Sequence, residues 1–507
     1  MSADLPLDRL DRLVLEGWAR RRGGAPVIVD GDVRLTAAEA TALVVEATAF
    51  LSHLVGSAAS PAAAGQPGPV VAVQATNRWE VMALAVAAWG AGATVLLVPA
   101  RAGRAALAHA LEATGPVAVV SEEGLPAADH PEALVLGDRS AMGWPQWLAG
   151  PTPSGAAPDP HRGRAGVAVI LPTGGSTGPP KLVPHTHAAL ARKATQMVDV
   201  HGLGPDDVVL MPAPLGHMSG LLNGILVPAA AGIATVLMPA WAPDRAVRLC
   251  RRDGVSFMVG PPAFFTTLAD ASTPTPGPAP SLRVISCGGA GVTEGFVEWA
   301  RATFGADVKR SYGSTEAPTI TSAWPGDAGD RKARTDGRVI DPDTEIRVDP
   351  LSGELQVRGP EVTHGYLDAG RWRTACTEDG WFRTGDRAHI DDGWLVLEGR
   401  LDDMIIRGGE NIVAAEVERL LEQHPDVRQA VVVAEPHATL GQRVCAFVVS
   451  DPHFDIDVCR RHFADQGASR IATPERIVVV SVIPTLSTGK ADRLSLARRA
   501  AEMAIDG

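Results

Sequence analysis

Short runs of apolar, often β-branched residues alternate with longer Ala/Leu-rich stretches through most of the chain. PVVAVQA (69–75), TVLLVP (94–99), VAVVS (117–121), ATVLMP (234–239), SFMVG (256–260) and LRVISCGG (282–289) each read as a strand buried on both faces. Helical patterns such as EVMALAVAAWGA and PDRAVRLCRRDG lie between them. This alternation predicts βαβ units and a largely parallel sheet, so the class is α/β. Pro/Gly-rich segments at 150–164 and 272–281 read as surface connections. After about residue 340, DG and SG turns separate alternating strands (EIRVDPLSGELQVRG, HIDDGWLVLEGR), the pattern of hairpins. From Leu401 onward a helix (AAEVERLLEQH) and strands (AVVVAEP, CAFVVS, RIVVVS) suffice for a small α+β domain. The expected organisation is an N-terminal domain over 1–399, a connection over 400–403 and a C-terminal domain over 404–507.

Two uncharged stretches, Val81–Ala100 and Val208–Pro243, are long enough to invite a membrane reading. Gly90 and Gly92 interrupt the first, and Pro212, Pro214, Gly216, His217 and Pro228 the second. Such punctuation spoils the internal hydrogen bonding that a spanning helix needs in lipid. Buried helix-then-strand pairs are therefore expected, with no integral membrane association. At 507 residues the chain is too long for one core. The net charge of −12, with no basic run, disfavours nucleic acid as a partner. Cys250, Cys287, Cys376, Cys445 and Cys459 are scattered without CxxC spacing, which argues against a disulfide framework or zinc site and for a reducing cytoplasm. The N-terminus, MSADLPLDRLDRL, lacks the basic head and apolar core of a signal peptide. The basic residues are lopsided: only five of 46 are lysines, and there are only two tyrosines, Tyr312 and Tyr366. Genomic bias explains the skew, but it makes each remaining Lys and Tyr worth following.

Chemistry concentrates in five segments. LPTGGSTGPPKLVPHTH (171–187) follows a strand pattern and gathers Thr173, Ser176, Thr177 and Gly178 ahead of Lys181. Glycines let backbone N–H groups approach phosphate oxygens, hydroxyls add donors, and the lysine adds charge. It is not a Walker A loop, because the spacing differs and Leu182 stands where a hydroxyl would hold Mg²⁺. SYGSTEAP places Tyr312, Gly313, Ser314, Thr315 and Glu316 in a tight turn after a strand, where a carboxylate could hold Mg²⁺ on a nucleotide. GWFRTGD ends in Asp386, suited to accepting two ribose hydroxyls, and GRLDDMIIRGGENI (399–412) combines Arg400, paired acids and paired glycines. PTLSTGKADR sets Lys490 on a Ser/Thr/Gly loop. Each alone is compatible with an ordinary turn; five in this order are not.

Together these segments resemble the adenylate-forming (ANL) superfamily, in particular stand-alone short- and medium-chain acyl-CoA synthetases and aryl-acid AMP ligases, over roughly residues 20–500. The resemblance implies a large N-terminal domain with a small β-barrel-like subdomain, a hinge, and a small mobile C-terminal domain. It implies ATP, Mg²⁺ and CoA (or the phosphopantetheine of a carrier protein) as cofactors. By the same resemblance, Thr173, Ser176, Thr177, Gly178 and Lys181 hold the β- and γ-phosphates. Gly288, Gly289 and Ala290 line the adenine and acyl pocket, and Tyr312, Gly313 and Ser314 lie along the adenine. Thr315 sits near the α-phosphate and Glu316 at Mg²⁺. Asp386 and Arg400 take the ribose, Asp402 is the hinge, and Lys490 bridges the carboxylate and the α-phosphate. Arg407, Gly408 and Gly409 line the thiol tunnel. Tyr366, in GPEVTHGYLD, falls in a further family motif, whereas Lys193, Lys309 and Lys332 take no part.

MPAPLGHMSGLLNG (211–224) resembles an acyl-pocket segment, with His217 in the wall and Met218, Val259, Gly260 and Gly288 lining it. No Asp or Glu occurs from Met211 to Asn223 to pair with a substrate ammonium, so amino acids are disfavoured. The expected substrate is a small hydrophobic carboxylic acid (medium-chain, alicyclic or aryl), activated to acyl-AMP and passed to CoA. The alternative is a single half-reaction, either loading a separate carrier protein or thioesterifying a supplied acyl-AMP. His185 and His187 are expected to have a structural or pocket-edge role rather than to be metal ligands. A cytoplasmic monomer or homodimer completes the expectation.

Overall fold

The apolar runs become the inner strands of two large sheets. A computed structural model describes residues 8–57, 67–136, 144, 148, 166–173, 180–273, 282–288, 291–368, 371–401, 403–408, 410–437, 439–486 and 490–505. In an eight-stranded sheet, Ala133–Leu136, Ala118–Glu122, Val70–Ala75, Thr94–Pro99 and Val167–Thr173 are parallel neighbours. The strands Lys181–Thr186, Gly365–Asp368 and Arg371–Thr374 extend it in antiparallel fashion. In a thirteen-stranded sheet, Asp307–Tyr312, Val284–Cys287, Phe257–Gly260, Val208–Met211, Ala234–Leu237 and Pro26–Asp30 run parallel in that order.

The hairpins expected after residue 340 form as Glu345–Val348 with Glu354–Arg358 and Phe382–Asp391 with Trp394–Arg400. They continue the larger sheet through Thr321–Ser322 and Arg338–Val339 around a small core of Tyr312, Ile320, Leu355, Val357, Phe382 and Leu395.

Side-chain alternation decides which core each strand feeds. Val71, Val73, Val95 and Leu97 face the main core between the sheets, whereas Val70, Ala72, Leu96 and Val98 face the opposite side. The main core also takes the helices Leu10–Ala19, Trp79–Gly90 and His187–His201. The helix Ala37–Ser57 contributes Ala40, Val44, Ala47, Leu51 and Val55, three or four apart on one face. By length and composition its Ala37–Gly56 stretch could cross a membrane; here its apolar stripe is committed to that core. Val81–Ala100, the stretch that raised the membrane question in the sequence, is a fully buried helix followed by a fully buried strand.

The C-terminal segment builds its own sheet, Glu410–Val413, Met404–Arg407, Gly441–Ser450 and Val427–His437, with Arg476–Val479 parallel on Gly441–Ser450. The helix Ala414–Glu422 packs on it through Val417 and Leu421.

Histidines are deeply placed. His185 and His187 are pushed down to about 4 by burial, for His187 against the opposing charge of Asp11, and burial drives His201 well below its ordinary value. His187 Nδ1 accepts the Leu10 N–H at 3.3 Å, and among the described residues no group of three or more His, Cys, Asp or Glu could hold a metal. Folded, these rings stay neutral at pH values where the unfolded chain, titrating near 6.5, gains protons. The unfolded state therefore binds more protons between about 6.5 and 4, and stability falls as pH drops through that window. Denaturant midpoints are expected to be lower at pH 5 than at pH 7, with the difference reduced in His201→Phe. Equal slopes in the variant and the parent would show that His201 does not carry this linkage.

Candidate active site

The parallel strands of the larger sheet end at one edge, and the site residues follow their carboxyl ends, where open α/β sheets bind ligands. His217 follows Val208–Met211, Gly260 ends Phe257–Gly260, Gly288 follows Val284–Cys287, and Tyr312 ends Asp307–Tyr312. Glycine is needed at two of these positions. A Cβ on Gly288 would stand 2.4 Å from Ser311 O, and one on Gly260 2.6 Å from the Phe264 ring.

After Val208–Met211 the chain turns into Met218–Leu221, then a π-helical turn, Leu222–Leu226. Such a turn is a frequent companion of functional sites. Gly220 allows the close approach, because a Cβ there would lie 2.0 Å from Pro214 O. His217 caps this helix with its Nε2 buried and without a hydrogen-bond partner among the described residues. Burial first, and then the positive charge of Lys490, push its imidazole down to about 4, so it is neutral at physiological pH. Met218 is buried in the main core and Val259, half-buried, packs against that core.

The SYGSTEAP turn is tied down from several sides. Ser314 N–H donates to Ala317 O at 2.9 Å, and Ser314 Oγ accepts Ala317 N–H at 3.1 Å. Tyr312 donates its hydroxyl to Asp386 Oδ2 at 2.7 Å. Burial and then the Asp386 charge hold that phenol well above its ordinary value, so it remains a donor. Asp386 pairs in register with Arg400 across the hairpin, with Nη1 3.5 Å from Oδ1. Burial raises the Asp386 carboxyl, against the Tyr312 hydrogen bond and the charges of Arg400 and Lys490.

Glu316 Oε1 accepts the hydroxyl of Tyr366 at 3.2 Å, and the ring of Tyr366 lies 4.8 Å from Lys181 Nζ. Both tyrosines singled out by their rarity thus touch a carboxylate of the site. Among the described residues Glu316 belongs to no cluster of three or more His, Cys, Asp or Glu. That donor set fits Mg²⁺ arriving with nucleotide phosphates, since Mg²⁺ keeps waters and takes one or two protein carboxylates.

Lys490 comes from the C-terminal segment into the same cleft. It retains solvent contact, yet enough protein crowds it that desolvation lowers its ammonium, with Asp386 and Glu316 opposing and Arg400 reinforcing. The structure therefore gathers Lys490, Glu316, Asp386, Arg400, Tyr312 and His217. Thr173 pairs with Lys181 at the mouth of the hairpin Val167–Thr173/Lys181–Thr186. Ser176, Thr177 and Gly178 lie outside the described residues, as do Gly289, Ala290, Asp402 and Gly409. Arg407 and Gly408 are engaged within the C-terminal sheet: Arg407 Nε donates to Glu475 Oε1 at 2.7 Å, and Gly408 N–H donates to Leu440 O at 2.8 Å. His185, and Lys193 to which the sequence assigns no part, bond the carbonyls of Thr315 and Thr319 through their side chains. Lysine scarcity was the one signal that could have pointed to Lys193.

A two-sheet domain with this cleft, closed by a small α+β unit that delivers a lysine, defines an adenylate-forming enzyme. The chain belongs to the AMP-binding enzyme family of the ANL superfamily: the family model matches residues 15–367, and the model of the AMP-binding enzyme C-terminal domain matches 416–490. It is 33% identical to a salicylyl-CoA synthase / salicylate adenylyltransferase of a Streptomyces species, over 95% of this chain and 92% of that one. It is 31% identical to the salicyl-AMP ligase / salicyl-S-ArCP synthetase of Mycobacterium tuberculosis, over 73% of this chain and 68% of that one. Among solved structures it resembles the amide bond synthetase McbA of Marinactinospora thermotolerans, with a TM-score of 0.80 and 28% identity over 97% of this chain and 100% of that one. The chain is an ATP-using, adenylate-forming acid ligase.

Proposed function

We propose that the chain activates a small hydrophobic carboxylic acid, foremost an aryl acid, as its acyl-AMP and then transfers the acyl group to the thiol of CoA in the cytoplasm. The observation that carries this reading is the convergence of Lys490, Glu316, Asp386 and Arg400 on one cleft beside a neutral, half-buried His217. In the first step the substrate carboxylate attacks the α-phosphorus of ATP, and the bond to the bridging oxygen breaks to release pyrophosphate. Both reactants are anions, so the barrier is largely electrostatic. Lys490 supplies a mobile positive charge between carboxylate and α-phosphate, and Lys181 one beside the outer phosphates. Asp386 takes the ribose hydroxyls with Arg400 alongside. Mg²⁺, when bound with ATP at Glu316, neutralises phosphate charge. In the second step the thiol sulfur attacks the acyl carbonyl, AMP departs and the thiol proton is released, with Arg407, Gly408 and Gly409 bordering the thiol path after Asp402 swings the C-terminal domain.

The absence of any Asp or Glu from Met211 to Asn223 around His217 favours an uncharged acyl body. The relatives that act on salicylate support an aryl ring. The five cysteines are free, in keeping with a reducing compartment. The alternative acceptor is the phosphopantetheine of a separate carrier protein, as the name of the M. tuberculosis relative states for that protein. The test is pyrophosphate release across aryl, alicyclic and medium-chain acids, with CoA, with a loaded carrier protein, and with neither thiol. Release confined to hydrophobic acids, with thioester formed on CoA, is the expected result. Absence of acid-dependent release with every acid would overturn the reading, and thioester on the carrier alone would replace CoA as acceptor.

A further inference from the structure

The turn carrying Thr315 and Glu316 is anchored through its backbone oxygens by groups that the chemistry above does not use. Thr315 O is 2.7 Å from His185 Nε2, Glu316 O accepts the Thr363 N–H at 2.8 Å, and Thr319 O accepts from Lys193 Nζ at 3.0 Å. Lys193 lies in the helix His187–His201 with no solvent exposure, and its ammonium is 2.8 Å from Oε1 of Glu361, itself 1% exposed. The other oxygen of Glu361 takes the Thr344 hydroxyl at 2.8 Å. Glu361 and Thr363 stand on the same short segment as Tyr366, whose hydroxyl bonds the Glu316 carboxylate.

Three considerations say what this pair is for. Withdrawing two charges from water costs several kcal/mol per ion, and apolar residues of similar volume in their place are often neutral or stabilising. Fold stability is thus a poor reason for the pair. Thr319 adopts φ +37°, a left-handed conformation that is an outlier for a β-branched residue and is strained. Lys193 bonds the carbonyl of that residue. Finally, a Cβ on Gly313 would lie only 2.3 Å from Thr319 N, so the two ends of the turn are in contact and a displaced Thr319 displaces the turn.

We propose that the buried Lys193–Glu361 pair is a positioning device for the adenylating turn, clamping strained Thr319 and thereby setting where the Thr315 hydroxyl and the Glu316 carboxylate stand. This rests on the adenylation reading above. Lys193 and Glu361 act through the turn and touch no substrate.

Single truncations leave one buried charge unpaired and would confuse positioning with folding. The decisive variant is therefore the charge-free pair Lys193→Met with Glu361→Leu, compared with the parent in thermal melting, hydrogen exchange of the 313–319 amides and acid-dependent pyrophosphate release. The expected result is a Tm at or above the parent's, faster exchange across 313–319, and kcat for adenylation lowered about 10–100-fold with KM for the acid unchanged. Parental kcat or parental exchange in the double variant would overturn the proposal, and so would a much lower Tm, which would make the pair a structural one. A parent inactive with every acid would count against the adenylation reading instead, and the exchange measurement would still decide whether the pair holds the turn.

Discussion

Lys490→Ala is expected to lower acid-dependent pyrophosphate release by about 10²–10³-fold, the usual loss when one preorganised charge is removed from a developing anionic centre. The same variant should still convert supplied acyl-AMP and CoA to thioester, because the ammonium serves only the step in which two anions meet. Global stability should hardly change, since Lys490 is itself exposed and its backbone carbonyl, which the variant keeps, accepts the Leu486 N–H at 2.7 Å. The pH profile offers an independent check. Desolvation lowers the Lys490 ammonium from its ordinary 10.5, so the charged form, and adenylation with it, is lost as pH rises through a value below 10.5. Lys490→Arg should move that alkaline limb upward. Near-parental adenylation in Lys490→Ala would mean that the lysine is not the group bridging acid and phosphate.

Asp386→Ala is expected to be the second most damaging change, raising KM for ATP about 100-fold and leaving KM for the acid near the parent value. Arg400 is half-exposed, so the loss falls chiefly on the buried Tyr312 hydroxyl and on the nucleotide contact, about 2–3 kcal/mol in all. Here the Tyr312 hydroxyl loses its 2.7 Å acceptor, and Arg400 and Lys490 lose a counter-charge at once. Tyr312→Phe, which keeps the carboxylate, should cost about tenfold less than the alanine variant, since a single neutral–charged hydrogen bond is worth about 1.5–3 kcal/mol. Initial-rate kinetics with each substrate varied in turn separates the two. A parallel rise in KM for the acid would place Asp386 at the acyl pocket rather than at the ribose.

The two lysines placed at the phosphates and the three left without a role illustrate how far residue types can be read. Lys181 and Lys490 sat in Gly- and hydroxyl-rich segments, so their surroundings in the chain already spoke of phosphate. Lys193 sits in HAALARKATQMVDVH, an ordinary helical stretch, and its partner Glu361 is 168 residues away. Lys309 and Lys332 are likewise buried, on Val200 O at 2.8 Å and on Asp307 Oδ1 at 2.7 Å. Nothing local announces that a lysine will be fully withdrawn from water, because the compensating carboxylate or carbonyl arrives only when distant segments pack. The helix Ala37–Ser57 is a similar case: its apolar stripe was present in the chain, but its destination was not.

What the amino-acid sequence determined by itself was local. Continuous apolar runs, alternating runs and turn residues specified strands, hairpins and the α/β class, since a strand buried on both faces needs no knowledge of its neighbours to be recognised. Clustered glycines, hydroxyls and single charges specified which segments could meet a phosphate. Only the tertiary structure decided which of those segments face one another. It set Tyr312 on Asp386, Tyr366 between Glu316 and Lys181, and Lys490 opposite His217, and it held the Thr315–Glu316 turn by carbonyls that any sequence would possess. Backbone oxygens carry no residue identity, and charges gain or lose meaning with the low-dielectric surroundings that folding supplies. The chemistry of the parts was therefore readable one segment at a time, whereas their registration into one cleft required the fold.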